Sequence, residues 1–424
     1  MSEQVHLAVP ASLTQWRIWF DAQLVADPLA YNASVAYRLP QALDLDRFAR
    51  ALEAEIASHA ELRYAFVIDG WALVKRPVEN AVRVRRSEAA SERDALEAAR
   101  TFLRTPFDPE RGVTVRAALF AFEQASVLVI SCHHLVCDGE SFDVLLRGAS
   151  ARFERGDFAA GPVENAYERT AKRPSHGQAA AGLPKRRDAP AAALVPADGT
   201  RGPSPVHGGV LGVDLSPASS AGLRGVMARF RVAPFCAFVA AFALAVRAVA
   251  PAGPVVASFP VTLRRGGETD AVGPFLTYCA VALGVDPARG ASAFVKDVWA
   301  ALLDAISDPE NGAAARLLET GRPEYRSYSL SYIALARTME LAGVRAERVL
   351  LDPLTAKFAL TASIVEDGGA LQIAVQYATG VYERATVLRH MARVAVALEA
   401  LAACADDAVT ADLLPGIRQA GEKA

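Results

Sequence analysis

Apolar residues fall into two rhythms along this chain. After Asp44, the residues Leu45, Phe48, Leu52 and Ile56 recur every three or four positions, the period of an amphipathic helix that runs out near Ser58. Ser12-Leu13-Thr14-Gln15 has the spacing of a capping box, and Trp16, Ile18 and Trp19 supply the apolar content of a first helix behind it. Shorter apolar runs predict strands over 64–68, 113–122 and 127–131, with helices over 91–104 and 141–154. Past residue 207 the same mixture returns. Strands are predicted over 210–215, 255–260, 327–334, 358–364 and 371–377, and one more ends at Leu283. Ser216-Pro217 opens a helix, Pro234 starts a buried one inside the apolar run 232–246, and a long amphipathic helix covers 383–401.

Each half mixes helices with strands, so the pattern predicts an α+β fold in two lobes of similar design. At 424 residues the chain is longer than a usual single domain. The segment 172–206 is rich in Pro, Ala, Gly and Arg and has no periodicity; it reads as an interlobe linker, with Lys185-Arg186-Arg187 as a solvated part of it. The expected organisation is therefore a lobe over 1–171, the linker, and a lobe over 207–424. An apolar share of 52% leaves ample core for both. A formal net charge of −2 lacks the basic excess of a nucleic-acid binder. The run 232–246 is broken by Pro234, closed by Arg247 and too short to span a bilayer, and MSEQVHLAVP has no secretory pattern. Cys132, Cys137, Cys236, Cys279 and Cys404 form no paired framework and read as reduced core residues. These features predict a cytoplasmic protein that avoids both membrane and nucleic acid.

The chemistry concentrates in one stretch. Val127-Leu128-Val129-Ile130 reads as a buried strand that delivers Cys132-His133-His134-Leu135-Val136-Cys137 into a turn at Asp138-Gly139. A metal site is not expected: adjacent histidines at a strand end point to opposite faces, and no second ligand pair stands at zinc-like spacing. Proton transfer suits the stretch better. A neutral imidazole removes a proton near pH 7 from an attacking amine or hydroxyl. Only one histidine can face a substrate, and residue chemistry does not choose between His133 and His134. Asp138 would orient the loop through an ion pair with an arginine, and the Gly139 amide would face an oxyanion. A histidine-rich strand end followed by an ordinary turn is the competing reading.

His133-His134-Leu135-Val136-Cys137-Asp138-Gly139 matches HHxxxDG, and the chain resembles the condensation domains of nonribosomal peptide synthetases and their acyltransferase relatives. The resemblance covers nearly the whole length. Leu13-Thr14-Gln15-Trp16-Arg17-Ile18-Trp19-Phe20, with Pro28 and Tyr31-Asn32 after it, is similar to the family's first helix motif. His59-Ala60-Glu61-Leu62-Arg63-Tyr64-Ala65-Phe66 is a partial match to RHExLRTxF, with Ser58, Ala60 and Tyr64 departing from it. Pro260-Val261-Thr262-Leu263-Arg264 looks like PVAxR, and Val272-Gly273-Pro274-Phe275-Leu276-Thr277 looks like the start of IGxFVNT. Lys357-Phe358-Ala359-Leu360-Thr361 resembles KFDLT.

The resemblance implies two chloramphenicol-acetyltransferase-like lobes in a V-shaped pseudodimer, with the active site in a tunnel between them. It implies that His134 is the base or positioning group at the acceptor, that His133 is structural, that Asp138 pairs with Arg264, and that Gly139 lies beside the acyl carbonyl. Glu140, Ser141, Phe275 and Thr277 become candidates for the tunnel lining. Glu140 stands where a bulky apolar residue is common, as a solvated loop residue or as a charge favouring a cationic acceptor; Thr277 replaces an asparagine. The donor would be an acyl or peptidyl thioester on the phosphopantetheine arm of a carrier protein, with no cofactor bound by the enzyme itself. As no adenylation or carrier segment is fused, the expectation is a free-standing, monomeric enzyme. It would take its carrier protein in trans and form an amide or ester with a small-molecule or carrier-bound acceptor. The alternatives are an O-acyltransferase that uses acyl-CoA or a polyketide-synthase carrier, and a non-catalytic recruitment domain. Phe142 stands where epimerases of the family show Trp-Arg, and heterocyclising relatives replace the histidines with aspartates.

Overall fold

The structure, a computed structural model, describes residues 8–24, 27–79, 81–123, 125–159, 167–168, 192–198, 208–250, 253–266, 268, 270–307, 327–334, 338–351 and 355–422. Apart from 192–198, the expected linker lies outside the described residues, and so does its basic triplet. The chain divides into two compact units. One joins Met1–Pro174 with Thr262–Leu276 and Ala336–Pro353; the other joins Ser175–Val261 with Thr277–Leu335 and Leu354–Ala424.

The first unit runs β1 (Val9–Pro10), α1 (Leu13–Leu24), β2 (Asn32–Pro40), α2 (Leu45–Ser58), β3 (Tyr64–Asp69), β4 (Ala72–Pro77), β5 (Val84–Glu88), α3 (Glu92–Leu103), β6 (Val115–Phe122), β7 (Ala125–His133) and α4 (Gly139–Arg155). The hairpin Thr338–Leu341/Val344–Arg348 adds to β2, giving a six-stranded open sheet in the order hairpin, β2, β7, β6, β5. Its pairs are antiparallel except β5 with β6. β1, β4 and β3 form a small second sheet.

β7 lies between β2 and β6 and is buried at every position, which is why its sequence is a continuous apolar run rather than an alternating one. Phe48, Leu52 and Ile56 of α2 and Leu145, Leu146 and Ala149 of α4 share a core with Leu128, Ile130 and Cys132 on one face. Ala95 and Ala99 of α3 meet Val127 and Val129 on the other. β7 thus ends its histidines at the rim of a sheet braced on both sides. The caps follow the sequence. Asp44 Oδ1 accepts the Arg47 amide at 2.9 Å, and Ser12 and Gln15 exchange side chain and amide at 3.1 and 3.0 Å.

The second unit holds another open six-stranded sheet, in the order Leu276–Leu283, Val255–Thr262, Tyr328–Ala334, Leu360–Asp367, Ala370–Ala378, Gly208–Asp214. Its helices among the described residues are Pro217–Phe230, Pro234–Arg247, Ala291–Ser307, Arg384–Ala403 and Thr410–Ala420. The helix Pro234–Arg247 is buried from Cys236 through Val246, and its proline at the first position gives up an amide that has no intrahelical partner anyway. Among the described residues no single helix is long and apolar enough to cross a membrane. The α+β expectation holds in each unit.

Candidate functional site

His133 closes β7. Its amide donates to Thr114 O at 2.8 Å on the β6 side, and the His134 amide donates to Tyr31 O at 2.8 Å on the β2 side. The two rings then part, as neighbours on a strand must. The His133 ring is buried between Tyr31 and Phe107, with centroids 6.2 and 6.3 Å away, and its Nδ1 accepts the Leu135 amide at 3.1 Å. Burial, then the neighbouring His134, pushes its pKa down to about 3. It stays neutral at pH 7 with its proton on Nε2, and it takes up no second proton there.

The His134 ring is half-buried, and its Nδ1 lies 3.3 Å from Cys137 O. A carbonyl oxygen only accepts, so Nδ1 carries the proton and the lone pair of the neutral ring is on Nε2. Of the two imidazoles, His134 is the less buried, and its Nδ1 faces a carbonyl where the Nδ1 of His133 faces an amide. Cys132 and Cys137 are buried and unpaired, and burial pushes the Cys137 thiol well up, which keeps it from serving as a thiolate. Among the described residues no cluster of three His, Cys, Asp or Glu side chains is arranged to hold a metal ion.

Asp138 caps α4. Its Oδ1 accepts the Ser141 amide at 2.8 Å and lies 2.6 Å from the Ser141 hydroxyl, which accepts the Asp138 amide at 3.2 Å. The Arg264 guanidinium grips the same carboxylate with both edges: Nη2 donates to Oδ1 at 2.7 Å and Nε to Oδ2 at 3.0 Å. Arg264 Nη1 donates to Glu268 O and Ala271 O, both at 2.8 Å, and the guanidinium lies 4.4 Å from the Phe275 ring centre. With its lone pairs so engaged and its side chain 4% exposed, Asp138 is a brace. Ser141, expected along the substrate path, is fully buried, and its hydroxyl also meets Gly273 O at 3.1 Å and Gly273 N at 3.2 Å. Phe275 is likewise buried beneath Arg264, and Thr277 is buried in the second unit. Gly273 has no room for a side chain, because a Cβ there would come within 2.5 Å of the Tyr167 ring.

Gly139 is different: a Cβ built on it meets no atom within 4 Å. Space is open beside the first turn of α4, whose amides have no acceptor inside the helix. Glu140 follows, 60% exposed, with Oε2 3.3 Å from Arg264 Nε; an acidic residue in a first turn also suits the helix dipole.

Reading the sequence missed what lies behind the loop. Gln15, fully buried, donates from Nε2 to Leu135 O at 3.0 Å and to Glu61 Oε1, and Glu61 is paired with the buried Lys75 at 2.9 Å. Burial pushes the Glu61 carboxyl up, against the pull of Lys75 and Gln15. Gln15 and Glu61 sit in two of the quoted motifs. Lys75 carried no signal, since a lysine in a short strand such as Ala72–Pro77 reads as surface.

Known proteins place the chain in a family. The family model described as "Condensation domain" matches residues 5–416. A component of the linear gramicidin synthase of Brevibacillus parabrevis is 36% identical over 160 residues, covering 35% of this chain and 2% of that protein. A polyketide synthase-nonribosomal peptide synthetase of Aspergillus clavatus is 31% identical over 156 residues, 36% of this chain and 4% of its own. The matches thus span only 2 to 4% of these relatives' lengths. Among solved structures, the X-domain from teicoplanin biosynthesis superposes with a TM-score of 0.77 at 19% identity, over 97% of this chain and 98% of that one. The first condensation domain of the calcium-dependent antibiotic synthetase, with a substrate analogue, gives 0.77 at 17% identity over 96% and 98%. These likenesses extend to the chloramphenicol-acetyltransferase-like fold that the motifs implied. A family match running from residue 5 to residue 416 takes in both units, and this chain belongs to the condensation-domain family.

Proposed function

We propose that the chain transfers an acyl or peptidyl group from the phosphopantetheine thioester of a carrier protein to an amine or hydroxyl acceptor, with His134 as the base. The observation that carries this reading is the contrast between two adjacent imidazoles: His133 is buried, neutral and committed to Leu135, whereas His134 is partly open with its lone pair on Nε2. As the acceptor attacks the thioester carbonyl, Nε2 takes its proton. The carbonyl oxygen becomes an oxyanion beside Gly139, where the first-turn amides and the dipole of α4 favour negative charge. Collapse re-forms the carbonyl, breaks the C–S bond and sends the arm's sulfur away with the proton held on His134. Thioester and amine become amide and thiol, and no bound cofactor enters. Asp138 and Arg264 keep the start of α4 in register with the loop. The relatives' descriptions as a peptide synthetase hybrid and a gramicidin synthase support a carrier-bound donor.

The test offers matched acyl-carrier and acyl-CoA donors to the protein with a panel of free and carrier-bound amines and alcohols, and follows unloading by intact-protein mass spectrometry. Acceptor-dependent unloading of the carrier is expected. Equal or faster use of acyl-CoA would replace this reading with a CoA-dependent O-acyltransferase. Carrier binding without transfer to any acceptor would leave a recruitment domain.

A further inference from the structure

We infer that Gln15 is a positioning residue for His134, and that the buried Glu61–Lys75 pair exists to aim Gln15. Besides the turn bond from the Val136 amide to His133 O, three contacts hold the main chain around His134. Its own amide donates to Tyr31 O, the next amide donates to His133 Nδ1, and the Leu135 carbonyl accepts from Gln15 Nε2. The first two come from the sheet and from β7's own last residue. Gln15 supplies the third, from a helix 120 residues earlier in the chain.

The Gln15 amide has one workable orientation. Its Oε1 accepts the Ser12 amide at 3.0 Å, and its two Nε2 hydrogens go to Leu135 O and Glu61 Oε1. Flipped, it would set an oxygen against a carbonyl and a carboxylate. Lys75 Nζ in turn holds both Glu61 oxygens, at 3.2 and 2.9 Å, lies 3.4 Å from Glu168, and faces the Tyr64 ring at 4.7 Å. Both side chains of the Glu61–Lys75 pair are 1% exposed. A buried ion pair adds little net stability over apolar side chains of the same volume, so stability does not explain why this one is kept. Orientation does: the pair presents one acceptor to Gln15, and Gln15 presents one donor to the peptide that follows the base.

This inference rests on the acyl-transfer reading only in its kinetic arm. Gln15→Met keeps the volume and removes both donors; kcat is expected to fall about 10- to 100-fold with KM for the acyl-carrier unchanged. Two double variants make the decisive comparison. Glu61→Gln with Lys75→Met removes the charges but leaves Gln15 an acceptor, and should stay within a few-fold of wild type, whereas Glu61→Met with Lys75→Met removes that acceptor and should fall as Gln15→Met does. Equal rates in the two double variants, or a wild-type kcat in folded Gln15→Met, overturn the inference. The ring-nitrogen chemical shifts of His134 supply a readout free of turnover. They should report one tautomer in the wild type and a mixture in Gln15→Met and in the Met/Met variant, and unchanged shifts there would also overturn it. If the wild type itself transfers nothing, the acyl-transfer reading fails and these shifts alone decide the role of Gln15.

Discussion

His133 and His390 share a condition that makes stability depend on pH. Each is buried and held neutral, with burial pushing the pKa down to about 3. In the unfolded chain both titrate near about 6.5. Above that value neither state binds the proton and nothing is lost. As pH falls from about 6.5 towards 3, the unfolded chain takes up protons that the folded chain refuses, so stability drops by about 1.4 kcal/mol per pH unit for each histidine. Among the described residues, His390 also lacks a hydrogen-bond partner at either ring nitrogen, and it meets Phe242 edge-on at 5.0 Å. Denaturant titrations of His390→Leu should therefore show a shallower fall in stability between pH 6.5 and 4.5 than wild type; an identical slope would contradict its neutral burial. At this scale the sequence was half legible. Motif order pointed to His134, but residue chemistry could not choose, because the difference between the two rings lies in Tyr31 and Phe107 closing over His133, which no local pattern shows.

Elements were legible where one physical cause dominated. β7 and the helix Pro234–Arg247 are apolar throughout because each is buried throughout, and α2 shows its period because only one face is. β2 was missed although Val35, Tyr37 and Leu39 alternate into one core while Ala36 enters the other. β5 gave no such signal: Val84-Arg85-Arg86-Ser87-Glu88 is an edge strand whose register lies in the backbone. The turn of the hairpin Thr338–Leu341/Val344–Arg348 is Ala342-Gly343 with φ of 51° and 77°, a left-handed pair without the usual Asn-Gly. The start of α4 is where element and site meet. Asp138→Ala removes the cap and leaves Arg264 buried without its carboxylate, a loss of about 3–5 kcal/mol. Its melting temperature should fall together with its activity; an unchanged melting temperature would mean that the pair does not brace the loop.

At the scale of the whole molecule, the two α+β units were expected from the mixed pattern in each half, while the membership of each unit was not. Arg264 lies 126 residues from Asp138, and it reaches it because Thr262–Leu276 belongs to the first unit. Gln15, Glu61 and Lys75 meet behind the loop for a similar reason, through β1 and β3 pairing with β4. Such long-range closure leaves no periodicity to read. Its effect is that distant segments converge on one loop and give the two rings of a two-histidine motif different surroundings. The direct measurement is single-turnover unloading of an acyl-carrier by wild type and by His134→Ala. The variant should fold, melt and bind the carrier as wild type does, and lose about 10²- to 10⁴-fold in rate. Unloading by His134→Ala at the wild-type rate would contradict the assignment of the base.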